Sequence, residues 1–453
     1  MYPEKSKNDQ ATNSAAAALA DCEDLMLCVL ARLPVKSICR FKSVCKHWNH
    51  LFSTQEFVGM QFKHSTESKN QCFIIQRIND NGSSNISVFN IESSEEILDQ
   101  PFNDTHVEID VVGCCNGLIC IRRGEEFVLW NPAMNLYKTV SSLQDHWIFK
   151  SSSLVVGYDA EVDHFKMSLG FGYDAEGDDF KVAGIVFMEK ERRLGMHASW
   201  VEVYSANSNS WTIIDPGFQF SELGFCWIHN SATVNGNPYW VGEVDEESKH
   251  VLIRFDMSKL VFKVVPLTSL NFNKAEQNME FIDLNGSLGA LVSTWKNEER
   301  IEYVDSWVFD DAEQIWTKRH SVGPIKVEMD QVVRSLKDGR VLGMRPNGQL
   351  IVLSSETKFV KDLFNVGPEY FRSYDYTASL AYIQGMEKVK LKKRRDHWNK
   401  SKDVLRNRSI LVKKRNCLTM YEYNENINDI AGMKQVKVKK RTKKMIVDAA
   451  RGN

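Results

Sequence analysis

The spacing of apolar residues changes character twice along the chain. Residues 1–20 are polar or Ala-rich and carry no periodic pattern, so a disordered N-terminus is expected. A helical rhythm then begins: Leu25, Val29, Leu30 and Leu33 recur at i, i+4, i+5 and i+8. Asp21, Glu23 and Asp24 suit the positive end of that helix's dipole. Pro34 is tolerated at the opening of a second short helix containing Ile38 and Phe41. A third helix places Val44, Trp48 and Leu51 on one face. Three short helices, assigned to residues 21–62, are too small to bury these groups alone. They need cover from the next domain or from another protein.

From about residue 70 to 385 the rhythm becomes period two, in many short runs rich in Val, Ile, Phe, Tyr and Trp. One unit repeats. An aromatic or apolar anchor closes a strand, a polar turn follows, and a second anchor stands seven residues on. The pairs are Trp130/Tyr137, Tyr204/Trp211, Phe255/Phe262, Phe309/Trp316 and Leu353/Val360, with a weaker copy from Phe89. Most pairs are preceded by a second signal: Asn81-Gly82, Asn116-Gly117, Asn235-Gly236, Asn285-Gly286 and Asp338-Gly339, which suit type I′ hairpins. The unit is therefore strand, tight turn, strand, loop, strand, polar turn, strand. Five or six such units of four antiparallel strands describe a β-propeller, whose closure protects the strand edges.

Gly157–Lys166 is nearly repeated as Gly172–Lys181. Only one copy can hold the blade position, so the other is expected to bulge as an acidic loop carrying Asp159, Glu161 and Asp163. Neither copy has the Gly and Glu register of an EF-hand, so no calcium site is assigned.

Charge adds a third segment. The formal net charge is −2, but residues 388–453 hold 21 Lys and Arg against 6 Asp and Glu, leaving the remainder at −17. An acidic body argues against nucleic acid as the main ligand. The runs Lys388–Arg395 and Lys437–Lys444 suit a nuclear import signal or weak polyanion binding, on an extension expected to be poorly ordered. No apolar run approaches the ~18 residues of a membrane span, and no secretory signal is apparent. The ten cysteines show no small-scaffold pattern and read as reduced thiols. Phosphate-loop, metalloprotease and serine-hydrolase motifs are absent, and the eleven His lack ligand spacing, so no catalytic residue, metal or cofactor is assigned.

Within the helical segment, Leu33-Pro-Val-Lys-Ser-Ile-Cys-Arg-Phe-Lys-Ser-Val-Cys-Lys-His-Trp48, followed by Leu51 and Phe57-Val58, resembles the F-box of plant F-box proteins. The resemblance implies docking onto the Skp-type linker of a cullin–RING ubiquitin ligase. The family's contact positions fall on Leu25, Leu30, Leu33, Pro34, Val35, Val44, Cys45 and Trp48. Asp21-Cys22 stands where such F-boxes usually open with Leu-Pro. The repeat region resembles the F-box-associated domain of the same family, a kelch-like propeller. The resemblance rests on Val111–Cys120, Leu129-Trp-Asn-Pro132, Gly170-Phe-Gly-Tyr-Asp174, Asp179-Phe-Lys-Val182, Val201–Ser205 with Ser210-Trp211, and Ser306-Trp-Val308. The double Gly of kelch repeats is not evident.

The expected fold is mainly β: a small N-terminal all-α three-helix F-box, a kelch-like β-propeller over 70–386, and a basic extension over 387–453. The expected function is that of a non-catalytic substrate adaptor of an SCF-type (Skp–cullin–F-box) ligase in the cytoplasm or nucleus. The propeller would hold an unknown protein substrate. Candidate substrate loops are 144–153, 216–229 (with Phe218, Phe220, Phe225 and Trp227) and 272–279. The rival readings are an interaction propeller without ligase docking and a propeller enzyme with polar residues converging on its axis.

Overall fold

The computed structural model describes residues 25–389 apart from several connections, the longest being 142–164. The chain divides into compact units of Met1–Leu391 and Lys392–Asn453, and the second lies wholly outside the described residues. Residues 1–20, Asn81-Gly82, the acidic loop of the first duplicated copy, and nearly all of both basic runs also fall outside them.

Four helices open the described chain. α1 covers 25–31, α2 Val35–Phe41, α3 Lys46–Leu51 and α4 Gln55–Glu67. The fourth exceeds the expected three helices and runs past the expected boundary at 62. Its start is explicable: Thr54 caps it, its Oγ1 accepting from the Phe57 N–H at 3.3 Å, and Phe57 turns into the core. α3 begins later than its apolar spacing predicts, because the Cys45 Sγ takes the cap position and accepts from the Trp48 N–H. Val44 is thereby left outside the helix. Leu30, Ala31, Val35, Ile38, Phe52 and Phe57 form the core of the unit. It is completed from the propeller by Leu380, Ala378, Ala133 and Met134. The cover that the short helices need comes from the neighbouring domain.

The described strands make six blades; two of them share an eight-stranded sheet, and one carries a fifth, two-residue strand at its outer edge. Blade II holds β4 (Ile109–Cys115), β5 (Leu118–Arg123), β6 (Glu126–Asn131) and β7 (Leu136–Ser141). Blade III runs from β8 (Phe165–Asp174) through β9 (Asp179–Glu189) and β10 (Met196–Ser205) to β11 (Ser210–Ile214), and blade IV from β12 (Phe225–Val234) to β15 (Val261–Val265). Blade V spans β16 (Gln277–Leu284) to β19 (Ile315–Val322), and blade VI β20 (Gln331–Ser335) to β23 (Val360–Asn365). Blade I is a composite. Its inner strand is the late β24 (Tyr370–Tyr376), which pairs antiparallel with β1 (Cys72–Ile78), ahead of β2 (Ser84–Asn90) and β3 (Glu95–Asp99). The two ends of the propeller sequence thus close the ring within one sheet. The inner strands β4, β8, β12 and β16 adjoin in succession, and β24 lies against both β4 and β20.

The sevenfold spacing is a register. Trp130 stands opposite Tyr137, Tyr204 opposite Trp211, Phe255 opposite Phe262, Phe309 opposite Trp316, and Leu353 opposite Val360. Such pairs share one face of the sheet, and Tyr204/Trp211, Phe255/Phe262 and Phe309/Trp316 bring ring centroids within 4.7–5.4 Å in tilted contact. The residue after the first anchor accepts from a backbone N–H three positions on: Asn131 from Met134, Ser205 from Ser208, Asp256 from Lys259, Asp310 from Glu313. The last loop residue, Asn135, Asn209, Leu260 or Gln314, takes positive φ.

The Asn116-Gly117, Asn235-Gly236 and Asn285-Gly286 turns show positive φ at both residues, as type I′ requires. Asp338-Gly339 departs from that expectation. Only Gly339 has positive φ, because the connection is longer and closes through the Leu336 N–H to the Arg340 carbonyl at 2.7 Å. The second duplicated copy, Gly172–Lys181, forms the β8–β9 hairpin.

Antiparallel alternation gives the ring two unlike faces. Turns between the first and second strands of a blade, and between the third and fourth, share the turn face. All described ones are short. Connections between blades, and between second and third strands, share the opposite loop face. The longest joins Ser141 to Phe165.

Candidate functional site

The helical unit sits on the turn face, where the β6–β7 turn supplies Ala133 and Met134 and the chain leaving β24 supplies Ala378 and Leu380. Its outward surface keeps apolar side chains in solvent. Leu25 is 66% exposed, Val29 56% and Val44 65%, with Met26 also exposed. Leu25 and Val29 are one helical turn apart, so they share a face of α1. Burying a side chain of this size yields roughly 1.5–3 kcal/mol, which makes their exposure a cost that a partner would remove.

The expected contact residues separate into three groups. Leu25, Val44, Pro34 and Cys45 are exposed. Leu33 and Trp48 are half-buried, Trp48 because its ring packs against Phe41 and Phe52 at 5.6 and 5.7 Å. Leu30 and Val35 are buried in the core and cannot meet a partner on this surface. They support the surface from beneath. Val29, which sequence reasoning left out, joins the exposed group. Its helical spacing from Leu25 was the available signal.

Of the three candidate substrate segments on the propeller, 144–153 lies wholly outside the described residues, as do 218–224 of the second and 272–276 of the third. Phe218 and Phe220 lie outside the described residues. Phe225 and Trp227 belong to β12, opposite Val244 and Glu243, with a register shift between them. The 216–229 segment is therefore strand from residue 225 onward, and these two aromatics sit at the start of an inner strand rather than on a loop. Likewise 272–279 overlaps β16 from Gln277.

The inner strands also gather polar groups. Arg334 on β20 ion-pairs with Asp375 on β24 and donates to the Ser373 carbonyl at 2.9 Å. Glu280 on β16 is exposed, and the Arg334 charge favours its ionised form. Burial pushes the Cys114, Cys115 and Cys120 thiols well above their ordinary range, Cys115 to about 12, so they are neutral and poor nucleophiles at physiological pH. Among the described residues no three His, Cys, Asp or Glu side chains are grouped to hold a metal, and the seven described cysteines are unpaired. No described helix is long and apolar enough to cross a membrane.

Both the ring and the helical unit fall within segments that match known protein families. Residues 74–383 match the F-box associated beta propeller domain, and residues 22–58 match the F-box domain. The chain belongs to the F-box-associated β-propeller family. An Arabidopsis thaliana sequence described as an F-box protein is 26% identical over 341 residues, covering 71% of this chain and 77% of the relative. A second F-box protein of that plant is 22% identical over 407 residues, covering 83% of this chain and 98% of the relative. A third, described as an F-box/kelch-repeat protein, is 25% identical and covers 68% and 78%. The F-box match of this chain thus covers α1–α3 and the first turn of α4, and the associated-domain match covers the six-bladed ring.

Proposed function

We propose that this F-box protein is the substrate-recognition adaptor of an SCF-type ubiquitin ligase, acting in the cytoplasm or nucleus. The F-box docks a Skp-type linker, and through it the cullin and RING subunits. The propeller holds the protein to be ubiquitinated. The chain itself is non-catalytic in this reading: it raises the effective concentration of substrate lysines near a charged ubiquitin carrier. The observation that carries the proposal is the F-box surface. Leu25, Met26, Val29 and Val44 stay uncovered on a unit whose opposite side is already packed on the propeller. Linker contact is assigned to these residues with Pro34, Cys45 and the exposed edges of Leu33 and Trp48. Substrate contact is assigned to the loop face, where the longest connections between strands lie. The basic extension beyond residue 388 serves nuclear import or weak polyanion contact, separately from substrate choice.

The test is saturable binding of a purified Skp-type linker by the full-length chain, beside Leu25→Asp/Val44→Asp. Both side chains are exposed, so the variant should keep the wild-type thermal unfolding. Placing two carboxylates in an apolar interface should weaken binding by about a hundredfold or more. Absence of saturable micromolar binding by the wild-type chain would refute the adaptor reading and leave a propeller interaction protein.

A further inference from the structure

We propose that residues 377–389, a strap that follows the last propeller strand, form a structural part of the F-box, so that linker docking depends on closure of the propeller. The docking half of this inference rests on the adaptor reading above; the structural half does not.

The strap is held along its whole length. At its start, the Ser379 hydroxyl donates to the Asn116 carbonyl at 2.7 Å and accepts from the Ala381 N–H at 3.1 Å. The fully buried Asn131 side chain donates to the Ser379 and Ala381 carbonyls at 3.1 and 2.8 Å. Gly117 packs so closely here that a Cβ would lie 2.3 Å from the Ser379 hydroxyl. Further on, Ile383 and Met386 enter the core shared by blades II and III. Glu387–Lys388 then pairs as β25 with the outer edge of that blade, opposite Tyr137 and Leu136, and the Val389 N–H donates to the Asn135 carbonyl at 3.0 Å.

Between these anchors one side chain points the other way. Leu380 is 1% exposed and belongs to the F-box core with Leu30, Ala31, Val35, Ile38, Phe52 and Phe57. Its neighbours in the strap, Ala381 and Ile383, belong instead to the core shared by blades II and III. The chain therefore alternates between two cores across a few residues. A four-helix unit of this size cannot bury enough surface alone, and Leu380 is the large side chain supplied from the far end of the described sequence. The strap begins where β24 ends, so the pairing of β24 with β1 that closes the ring also fixes where the strap starts. A chain whose propeller has not closed leaves its F-box core open beneath Leu30 and Val35. The residues that support the docking surface then lack their packing. Leu380 is accordingly a positioning residue, acting on the linker through the F-box core.

The experiment uses the full-length chain with Leu380→Asp, Leu380→Ala and Leu380→Met, reading amide exchange segment by segment and, in parallel, linker affinity. In the Ala and Asp variants exchange in α1–α3 should rise by more than about tenfold while β16–β19 keep wild-type protection, and linker affinity should fall by about tenfold or more. Leu380→Met should restore both. Wild-type exchange in α1–α3 of the Ala and Asp variants would overturn the proposal, as would uniform loosening of F-box and β16–β19 together in the Ala variant. If the wild-type chain binds no linker, the adaptor reading fails on its own, and the exchange data still decide whether the strap completes the F-box.

Discussion

Asp174 offers a measurable link between turn chemistry and the joining of blades III and IV. It stands at the end of β8, almost fully buried, and accepts four hydrogen bonds. Two come from the Glu176 and Gly177 N–H groups of its own turn at 3.0 and 2.9 Å. The others come from the Lys181 ammonium at 2.7 Å and the Ser258 hydroxyl at 2.6 Å. Ser258 lies in the β14–β15 turn of blade IV, and Lys181 also donates to the Met257 carbonyl there at 2.9 Å. Burial alone pushes the carboxyl up, but the bonds from Lys181, Ser258 and Gly177, with the Lys181 charge, outweigh it and hold Asp174 at about 2. An unfolded Asp titrates near ~3.9, so the difference corresponds to about 2.6 kcal/mol if none of it were screened. The site lies at the rim of the turn face, and solvent there reduces the figure to roughly 1–2 kcal/mol. Because the folded value is the lower one, this stability is present above pH ~4 and is lost as pH falls toward ~2, with about half gone near pH 3. Urea unfolding of wild type and Asp174→Asn at several pH values should show that gap at pH 7 and a shrinking gap below pH 4. A gap independent of pH from 7 to 3, or no gap at pH 7, would refute the reasoning.

Three further substitutions probe the ring. Gly236 has φ +77°, and a Cβ there would lie 2.2 Å from the Tyr173 carbonyl oxygen, whereas at Gly286 (φ +81°) the nearest atom is the Asn235 Oδ1 at 3.2 Å. Gly236→Ala should therefore cost about 3 kcal/mol or more in denaturant unfolding and Gly286→Ala about 1, and equal costs would show that inter-blade contact at Gly236 is immaterial. Phe255 is fully buried, with its ring 4.7 Å from Phe262 and 6.5 Å from Trp240. Phe255→Ala should lower stability by about 3–5 kcal/mol, and a loss below about 1 would remove the anchor pairs from the account of blade stability.

The repeat was legible because it is local. A seven-residue spacing between anchors is the length of one four-residue hairpin turn plus its flanking pairs, so the register Trp130–Tyr137 could be read directly. The blade count could not. Blade I takes its inner strand from β24, and no local pattern links Tyr370–Tyr376 to Cys72–Ile78. The same limit applies to the F-box. Apolar spacing found α1–α3, and the Thr54 cap was a local signal for α4 that periodicity overlooked. Which apolar residues face outward depends on Leu380, Ala133 and Met134, whose arrival from the propeller no helical pattern announces. That is why Leu30 and Val35 were expected at the interface and lie in the core. At β12 the cause differs. A run of aromatics between a Gly and a polar stretch reads as loop or strand alike, and only pairing with β13 assigns Phe225 and Trp227 to the latter.

The division of the ring into two faces explains where variation can be accepted. Every described non-glycine residue with positive φ lies on the turn face: Asn116, Asp178, Asn235 and Asn285 between first and second strands, and Asn135, Asn209, Leu260 and Gln314 between third and fourth. These turns admit few residue types, because they must take left-handed backbone and cap their own amides. They are short and carry bonds from one blade to the next, as Asn235 does in donating to the Gly286 carbonyl. Such a face changes little in shape, and it is the one that holds the F-box. On the loop face the described positive-φ residues are glycines, among them Gly124, Gly217, Gly348 and Gly367, and its connections range from the short β5–β6 turn to the long passage between Ser141 and Phe165. In the proposed adaptor, linker geometry is thus built on the constrained face and recognition on the permissive one. A new substrate could be accommodated by altering inter-blade connections without moving Leu25, Val29 or Val44.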